Sequence, residues 1–238
     1  MALMHRARDW VETKKRLSLY DCSMSALPLL LRSTLIQAPL IAILRGLTPN
    51  EAPAVGRALW DAGFRILEVP LNSPEPYSSI AALREALPQA LIGAGTVLDL
   101  TQVAQVQAAG GQLIISPNFN PAVVAAAKAA RMFAIPGVAT PTEAFAALSA
   151  GADAIKLFPA EMISPSAVKA MRAVLPTDAL LIPVGSIGAS NMAAYWAAGA
   201  NGFGIGSSLY SLGKAVASIR QDATDLIAIR QGFMPARQ

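Results

Sequence analysis

The 238-residue chain holds one histidine, His5, and one cysteine, Cys22, and both fall within its first two dozen residues. From Pro39 onward it has neither. Imidazole acid–base chemistry, thiolate nucleophiles and metal sites built on His or Cys ligands are therefore excluded from the body of the protein. A carboxylate-only magnesium site has no visible cluster, and no metal or other cofactor is expected. A single cysteine cannot form a disulfide within the chain and suits a reducing cytoplasm.

Charge is scarce too, at 14% of residues, and the formal net charge of +4 is unevenly placed. Residues 1–37 carry six basic side chains (Arg6, Arg8, Lys14, Lys15, Arg16, Arg32) against three acidic ones (Asp9, Glu12, Asp21). The remainder has 13 basic and 12 acidic residues, close to neutral, with no basic stripe interleaved with aromatics. Nucleic acid is thus not an expected partner. Long apolar runs are also lacking: none approaches the roughly 18 residues of a membrane span, and Arg32 ends the apolar run at Leu27–Leu31 too early for a secretory signal. Residues 1–24 read as an extension, or as a stretch ahead of a start at Met24.

What the sequence does contain is repetition. From Pro39 onward a short β-rich apolar run, a turn and an Ala-rich helical stretch ending in glycine recur. The strands are expected at Leu40–Leu44, Arg65–Val69, Leu91–Gly95, Gln112–Ser116, Met132–Ile135, Ala154–Phe158, Leu180–Val184 and Gly202–Ile205. Gly63, Gly110, Gly151 and Gly199 read as helix stops. Thr48-Pro49, Thr140-Pro141 and Ser164-Pro165 read as helix starts, with a hydroxyl N-cap and proline in the first helical position. Strands alternating with helices at this spacing imply parallel βαβ units. Eight units in about 200 residues point to one domain, 25–238, folded as an α/β protein, a (β/α)8 TIM barrel, with an open doubly wound sheet as the alternative. An extra helix over 25–37 is expected to plug the barrel floor, and Lys214–Phe233 to continue the eighth helix.

Barrel enzymes carry their chemistry at the carboxyl ends of the strands. The polar residues found there are Arg45, Glu68, Thr96, Ser116, Asn118, Lys156, Ser186 and Ser207. Lys156 is the least expected of them, because a lysine in a greasy strand must lose its proton, find a partner or snorkel to water. Alternation puts Ala152, Ala154, Lys156 and Phe158 on one face. It likewise groups Ile41, Ile43 and Arg45; Ile66 and Glu68; Ile92, Ala94 and Thr96; and Ile182, Val184 and Ser186. If these faces point inward, Arg45, Glu68, Thr96 and Lys156 converge. A neutral lysine amine can form a Schiff base with a ketone and so make or break the adjacent carbon–carbon bond. A carboxyl such as Glu68 can move the protons, and the planar fork of Arg45 suits a substrate carboxylate. The plain alternatives are an Arg45–Glu68 ion pair sealing the barrel top and a Thr96 hydroxyl that merely satisfies a strand end. Gly185-Ser186 and Gly206-Ser207 stand where barrels commonly bind phosphate, though tight turns would use the same residues.

Six motifs in order, Ile43-Leu44-Arg45-Gly46, Glu68-Val69-Pro70-Leu71-Asn72-Ser73-Pro74, Gly93-Ala94-Gly95-Thr96-Val97, Ser116-Pro117-Asn118, Ile155-Lys156-Leu157-Phe158-Pro159 and Gly204-Ile205-Gly206-Ser207, resemble the family of 2-keto-3-deoxy-6-phosphogluconate and 2-keto-3-deoxy-6-phosphogalactonate aldolases. The resemblance spans Pro39 to about Gly213. It implies a class I aldolase that cleaves a phosphorylated keto-deoxy sugar acid to pyruvate and glyceraldehyde 3-phosphate. Lys156 is then the Schiff-base lysine, Glu68 the acid/base and Arg45 a carboxylate ligand. Substrate contacts are expected from Thr96, Pro117, Asn118, Phe158, Val184, Gly185, Ser186, Gly206 and Ser207, and the assembly is expected to be a homotrimer. The segment Pro70–Pro74, Asn118 and Val184 look like the galactonate branch rather than the gluconate one. Ser186 departs from the family, which usually has a second glycine there. The other classes left open are a catalytically silent barrel that binds phosphosugars, and a different phosphate-binding barrel enzyme such as an isomerase or synthase.

Overall fold

A computed structural model describes residues 30–233. His5, Cys22 and the start of the expected N-terminal helix lie outside the described residues. The described part of that helix, α1, covers 30–37. Then follow β1 (Leu40–Ile43), α2 (Ala52–Ala62), β2 (Ile66–Pro70), α3 (Pro76–Ala86), β3 (Leu91–Gly95), α4 (Leu100–Ala108), β4 (Leu113–Ile115), α5 (Pro121–Ala129) and β5 (Phe133–Ile135). The second half is β6 (Gly137–Val138), α6 (Pro141–Ser149), β7 (Ile155–Leu157), α7 (Pro165–Val174), β8 (Leu181–Pro183), α8 (Met192–Ala197), β9 (Phe203–Ile205) and α9 (Val216–Phe233). Among the described residues no helix is long and apolar enough to cross a membrane.

All strand pairs are parallel. One sheet runs β5-β4-β3-β2-β1-β9 and the other β6-β7-β8. Two links join them. At one end the bridge Val184↔Gly204 connects the end of β8 to β9. At the other, only Pro136 separates β5 from β6, and its carbonyl accepts from Lys156 N at 3.0 Å while Ala134 O accepts from Asp153 N at 2.9 Å. The strand expected at Met132–Ile135 therefore resumes beyond the proline, which lacks an N–H and interrupts the ladder. The result is a curled parallel sheet wrapped by helices, a TIM-like α/β barrel.

Two apolar layers follow from strand alternation. Ile41, Ile43, Ile66, Leu113, Ile115, Phe133, Ile135, Ala154, Ile182 and Val184 form the interior cluster, in which Leu31 and Leu35 of α1 are also packed. Ala42, Leu67, Ile92, Ala94, Ile114, Ala134, Ile155 and Leu157 face the helices. Fully buried Phe64, Phe133 and Phe203 each contribute on the order of 2–3 kcal/mol by burial alone.

Helix ends follow the sequence in most places. Thr140 and Glu143 form a complete capping box, with Thr140 N donating to Glu143 Oε2 at 2.9 Å. Ser164 Oγ accepts from Ala167 N. Gly63 ends α2 at φ +114°, and Gly110, Gly151 and Gly199 have positive φ as well. Thr48 is a correction: α2 starts at Ala52, and its early proline is Pro53 rather than Pro49. Residues 49–51 form a turn instead, tied down by Thr48 N donating to Glu51 Oε1 at 3.0 Å.

Candidate active site

Lys156 lies in the middle of β7, paired with Gly137 of β6 on one side and Ile182 of β8 on the other. Its face is the interior one, shared with Ala154 and Phe158. The side chain is only 7% exposed, and Nζ stands 4.7 Å from the centroid of the Phe158 ring. Burial is the largest influence on the amine and pushes its pKa down. The carboxyl of Glu68 opposes that, while the Arg45 cation adds to it.

Glu68 occupies the interior face of β2, with 2% exposure, and Oε2 has no hydrogen-bond partner among the described residues. Burial holds its carboxyl above the ordinary range, and Lys156 and then Arg45 pull it back. An amine whose pKa burial lowers thus shares the barrel interior with a carboxyl whose pKa burial raises. Such a pair can supply a nucleophile and a proton carrier at neutral pH.

Arg45 sits exposed at the end of β1. Among the described residues no ion pair joins it to Glu68, so the sealed-top alternative does not describe this site. Arg45 instead lines a cavity of about 510 Å³ whose wall includes Ile43, Phe158, Val184, Gly185, Ser186, Gly206 and Ser207. Ile43, Phe158 and Val184 belong both to this wall and to the interior cluster. The cavity therefore opens off the end of the barrel interior that holds Lys156. Its far side is built from the turns after β8 and β9, where Ser190, Ser207, Ser208 and Ser211 add hydroxyls.

Seven of the twelve residues expected at the site line this cavity. Glu68 and Lys156 lie beneath it, and Thr96, Pro117 and Asn118 are not part of its wall. For Thr96 the expected phase is reversed: Ile92 and Ala94 pack outward among the helices, and Leu91 faces the interior. The interior positions next to it are glycines for a steric reason. A Cβ on Gly93 would fall 2.0 Å from Leu113 O, and one on Gly95 would fall 1.6 Å from Glu68 Oε2. Thr96 itself has φ +60°, which breaks the alternation. Pro117 is half-buried and Asn118 exposed on the bend after β4.

Ser186 faces the cavity, but its Oγ donates to Glu161 Oε1 at 2.6 Å. The proton of that hydroxyl is thereby committed to Glu161. Sequence reasoning missed Glu161, which reaches a partner 25 residues away without any local signal. It also missed Tyr210, a cavity-wall residue whose hydroxyl donates to Glu51 Oε1 at 2.6 Å. Gly95 was within reach, because glycine at alternate strand positions signals a close approach.

The model of the KDPG and KHG aldolase family matches residues 31–226. A probable 2-dehydro-3-deoxy-6-phosphogalactonate aldolase of Rhizobium meliloti is 48% identical over 81% of this chain and 92% of its own. A solved structure described as native KDPGal superposes with a TM-score of 0.81 at 45% identity, covering 82% of this chain and 96% of the other. A KDPG aldolase from Legionella pneumophila, with pyruvate captured as a covalent carbinolamine intermediate, superposes with a TM-score of 0.74 at 27% identity over 82% of this chain and 97% of its own. The chain belongs to the KDPG and KHG aldolase family.

Proposed function

We propose that this aldolase is of the Schiff-base class and cleaves 2-dehydro-3-deoxy-6-phosphogalactonate to pyruvate and glyceraldehyde 3-phosphate. One observation carries the proposal: Lys156 is a buried interior lysine whose amine is driven toward neutrality, under the electrostatic influence of the buried carboxyl of Glu68 and of the exposed Arg45. The two sheets act as one (β/α)8 barrel, with β5 and β6 a single strand broken at Pro136.

The neutral amine adds to the C2 ketone to give a carbinolamine, which loses water to become a protonated imine. That imine draws the electron pair of the C3–C4 bond as the C4 hydroxyl gives up its proton, releasing glyceraldehyde 3-phosphate. The enamine left behind takes a proton at C3, and hydrolysis returns pyruvate and the free lysine. Glu68 is the proton carrier. Burial raises its pKa, and a carboxyl shifted upward from its ordinary range is better able both to give and to take a proton. Arg45 holds the C1 carboxylate through its planar fork. The N–H groups of the Ser186 and Ser207 turns meet the phosphate. The galactonate epimer is favoured by the segment Pro70–Pro74, by Asn118 and Val184, and by the name of the Rhizobium relative.

The test is the ratio of kcat/KM for the two C4 epimers. A clear preference for the galactonate substrate supports the proposal, whereas equal rates or a gluconate preference removes the epimer assignment. The proposal includes a homotrimer in the cytoplasm, and light scattering that returns a monomer or dimer removes the trimer.

A further inference from the structure

The turn that follows β8 is held by side chains that the reaction does not use. Glu161 lies outside the barrel interior, on the short 3-10 turn Ala160–Met162 after β7. Its Oε1 accepts from Ser186 Oγ at 2.6 Å. Its Oε2 also lies close to the same turn, since a Cβ on Gly185 would fall 2.3 Å from it. Asn191 clamps the other end, with Nδ2 donating to Ser186 O at 2.9 Å and Oδ1 accepting from Gly188 N at 3.0 Å. Such bracing offsets the strain at Ser186, which adopts φ +47°, a left-handed conformation that disfavours a non-glycine residue. The Ser186 bond and the N–H of Glu161 itself hold this carboxyl below its ordinary range, so it is an ionised acceptor at neutral pH.

Resting on the phosphate-site reading above, we propose that Glu161 is a positioning residue that acts through Ser186. Its carboxylate fixes the backbone N–H groups of the 185–187 turn toward the cavity, where they meet the phosphate of the substrate. Glu161 contributes a hydrogen-bond acceptor at this position, and its negative charge stays on the far side of the turn. A negative charge placed against a phosphate site would otherwise weaken binding, so the acceptor role and the charge role predict opposite results.

The experiment measures kcat and KM for cleavage of the phosphorylated substrate, and the inhibition constant of inorganic phosphate. It uses the full chain and its Glu161→Ala and Glu161→Gln variants, each with its Tm. In Glu161→Ala the KM and the phosphate inhibition constant rise about five- to tenfold, the effect of one lost hydrogen bond, while kcat changes less than about twofold. Glu161→Gln keeps an oxygen for the Ser186 hydroxyl and stays within about twofold of the unaltered chain on both constants. Tighter binding in both variants makes charge the operative property and overturns the proposal. Equal weakening in both, no change in either, or loss of kcat in step with a falling Tm also overturns it. An unaltered enzyme that cleaves phosphorylated and dephosphorylated sugar acids equally well refutes the phosphate site itself. That failure is visible before any variant is made.

Discussion

Replacing Gly95 by alanine tests the site with the smallest possible change, one methyl group. The new Cβ would stand 1.6 Å from Glu68 Oε2 and 2.5 Å from Glu68 Cδ, where real Cβ contacts essentially never fall below 3.0 Å. The carboxylate must therefore retreat by at least 1.4 Å, or β2 and β3, paired from Ile66↔Leu91 to Pro70↔Gly95, must separate. Misplacement of a catalytic group by about 1 Å is associated with losses on the order of 10²-fold, and overpacking destabilises by about 1–3 kcal/mol. Gly95→Ala is thus expected to lose about 10²-fold in kcat/KM for sugar-acid cleavage. Its Lys156 still captures pyruvate under borohydride, because the amine lies on a different strand. Gly232→Ala is the control, since a methyl there meets nothing within 4 Å. A Gly95→Ala enzyme within threefold of full activity, with an intact fold by thermal melting, would refute the placement of Glu68 as the proton carrier.

Arg45→Met is expected to weaken pyruvate capture about 10–100-fold with little change in Tm, because the residue is exposed. Titrating pyruvate against adduct yield checks this, and an unchanged half-saturation point contradicts it. Lys128→Ala breaks the ion pair to Asp153, whose Oδ1 lies 2.6 Å from Nζ and whose side chain is 4% exposed. Among the described residues the remaining carboxylate keeps the bond from Ala134 N, so a loss of about 1–3 kcal/mol in denaturant unfolding is expected, with adduct formation retained. Failure to form the adduct would transfer the nucleophile away from Lys156. Glu68→Gln tests linkage. A carboxyl whose folded pKa is raised contributes stability that is fully present below its unfolded value of 4.5 and is lost as pH rises through the folded value. The variant therefore gains stability relative to the unaltered protein as pH rises from about 4.5 toward neutral, and parallel Tm-versus-pH curves would show that Glu68 is not perturbed.

Strand alternation made the inward placement of Lys156 and Glu68 legible, because each breaks an otherwise apolar run and so marks its phase. The same logic failed at β3. Its residues Leu91-Ile92-Gly93-Ala94-Gly95 are buried on both faces, so no polar contrast separates one phase from the other. What decides that phase is long-range sterics, the carbonyl of Leu113 and the carboxyl of Glu68, which the local sequence does not contain. Two prolines four residues apart, Pro49 and Pro53, blurred the start of α2 in a similar way, because either satisfies the preference for proline in the first turn. The cavity wall was legible in part. Gly185, Ser186, Gly206 and Ser207 were readable from their place after the last two strands. Glu161 touches this wall through Ser186, 25 residues away, and Tyr210 lines it without any local motif to mark it.

The central claim is that Lys156 is the residue that bonds covalently to a 2-keto acid. The most direct measurement is incubation of the protein with pyruvate and borohydride, followed by mass mapping of the trapped adduct. The account predicts one adduct, on Lys156, and its loss in Lys156→Met. No adduct, or an adduct on Lys128, Lys169 or Lys214, contradicts it.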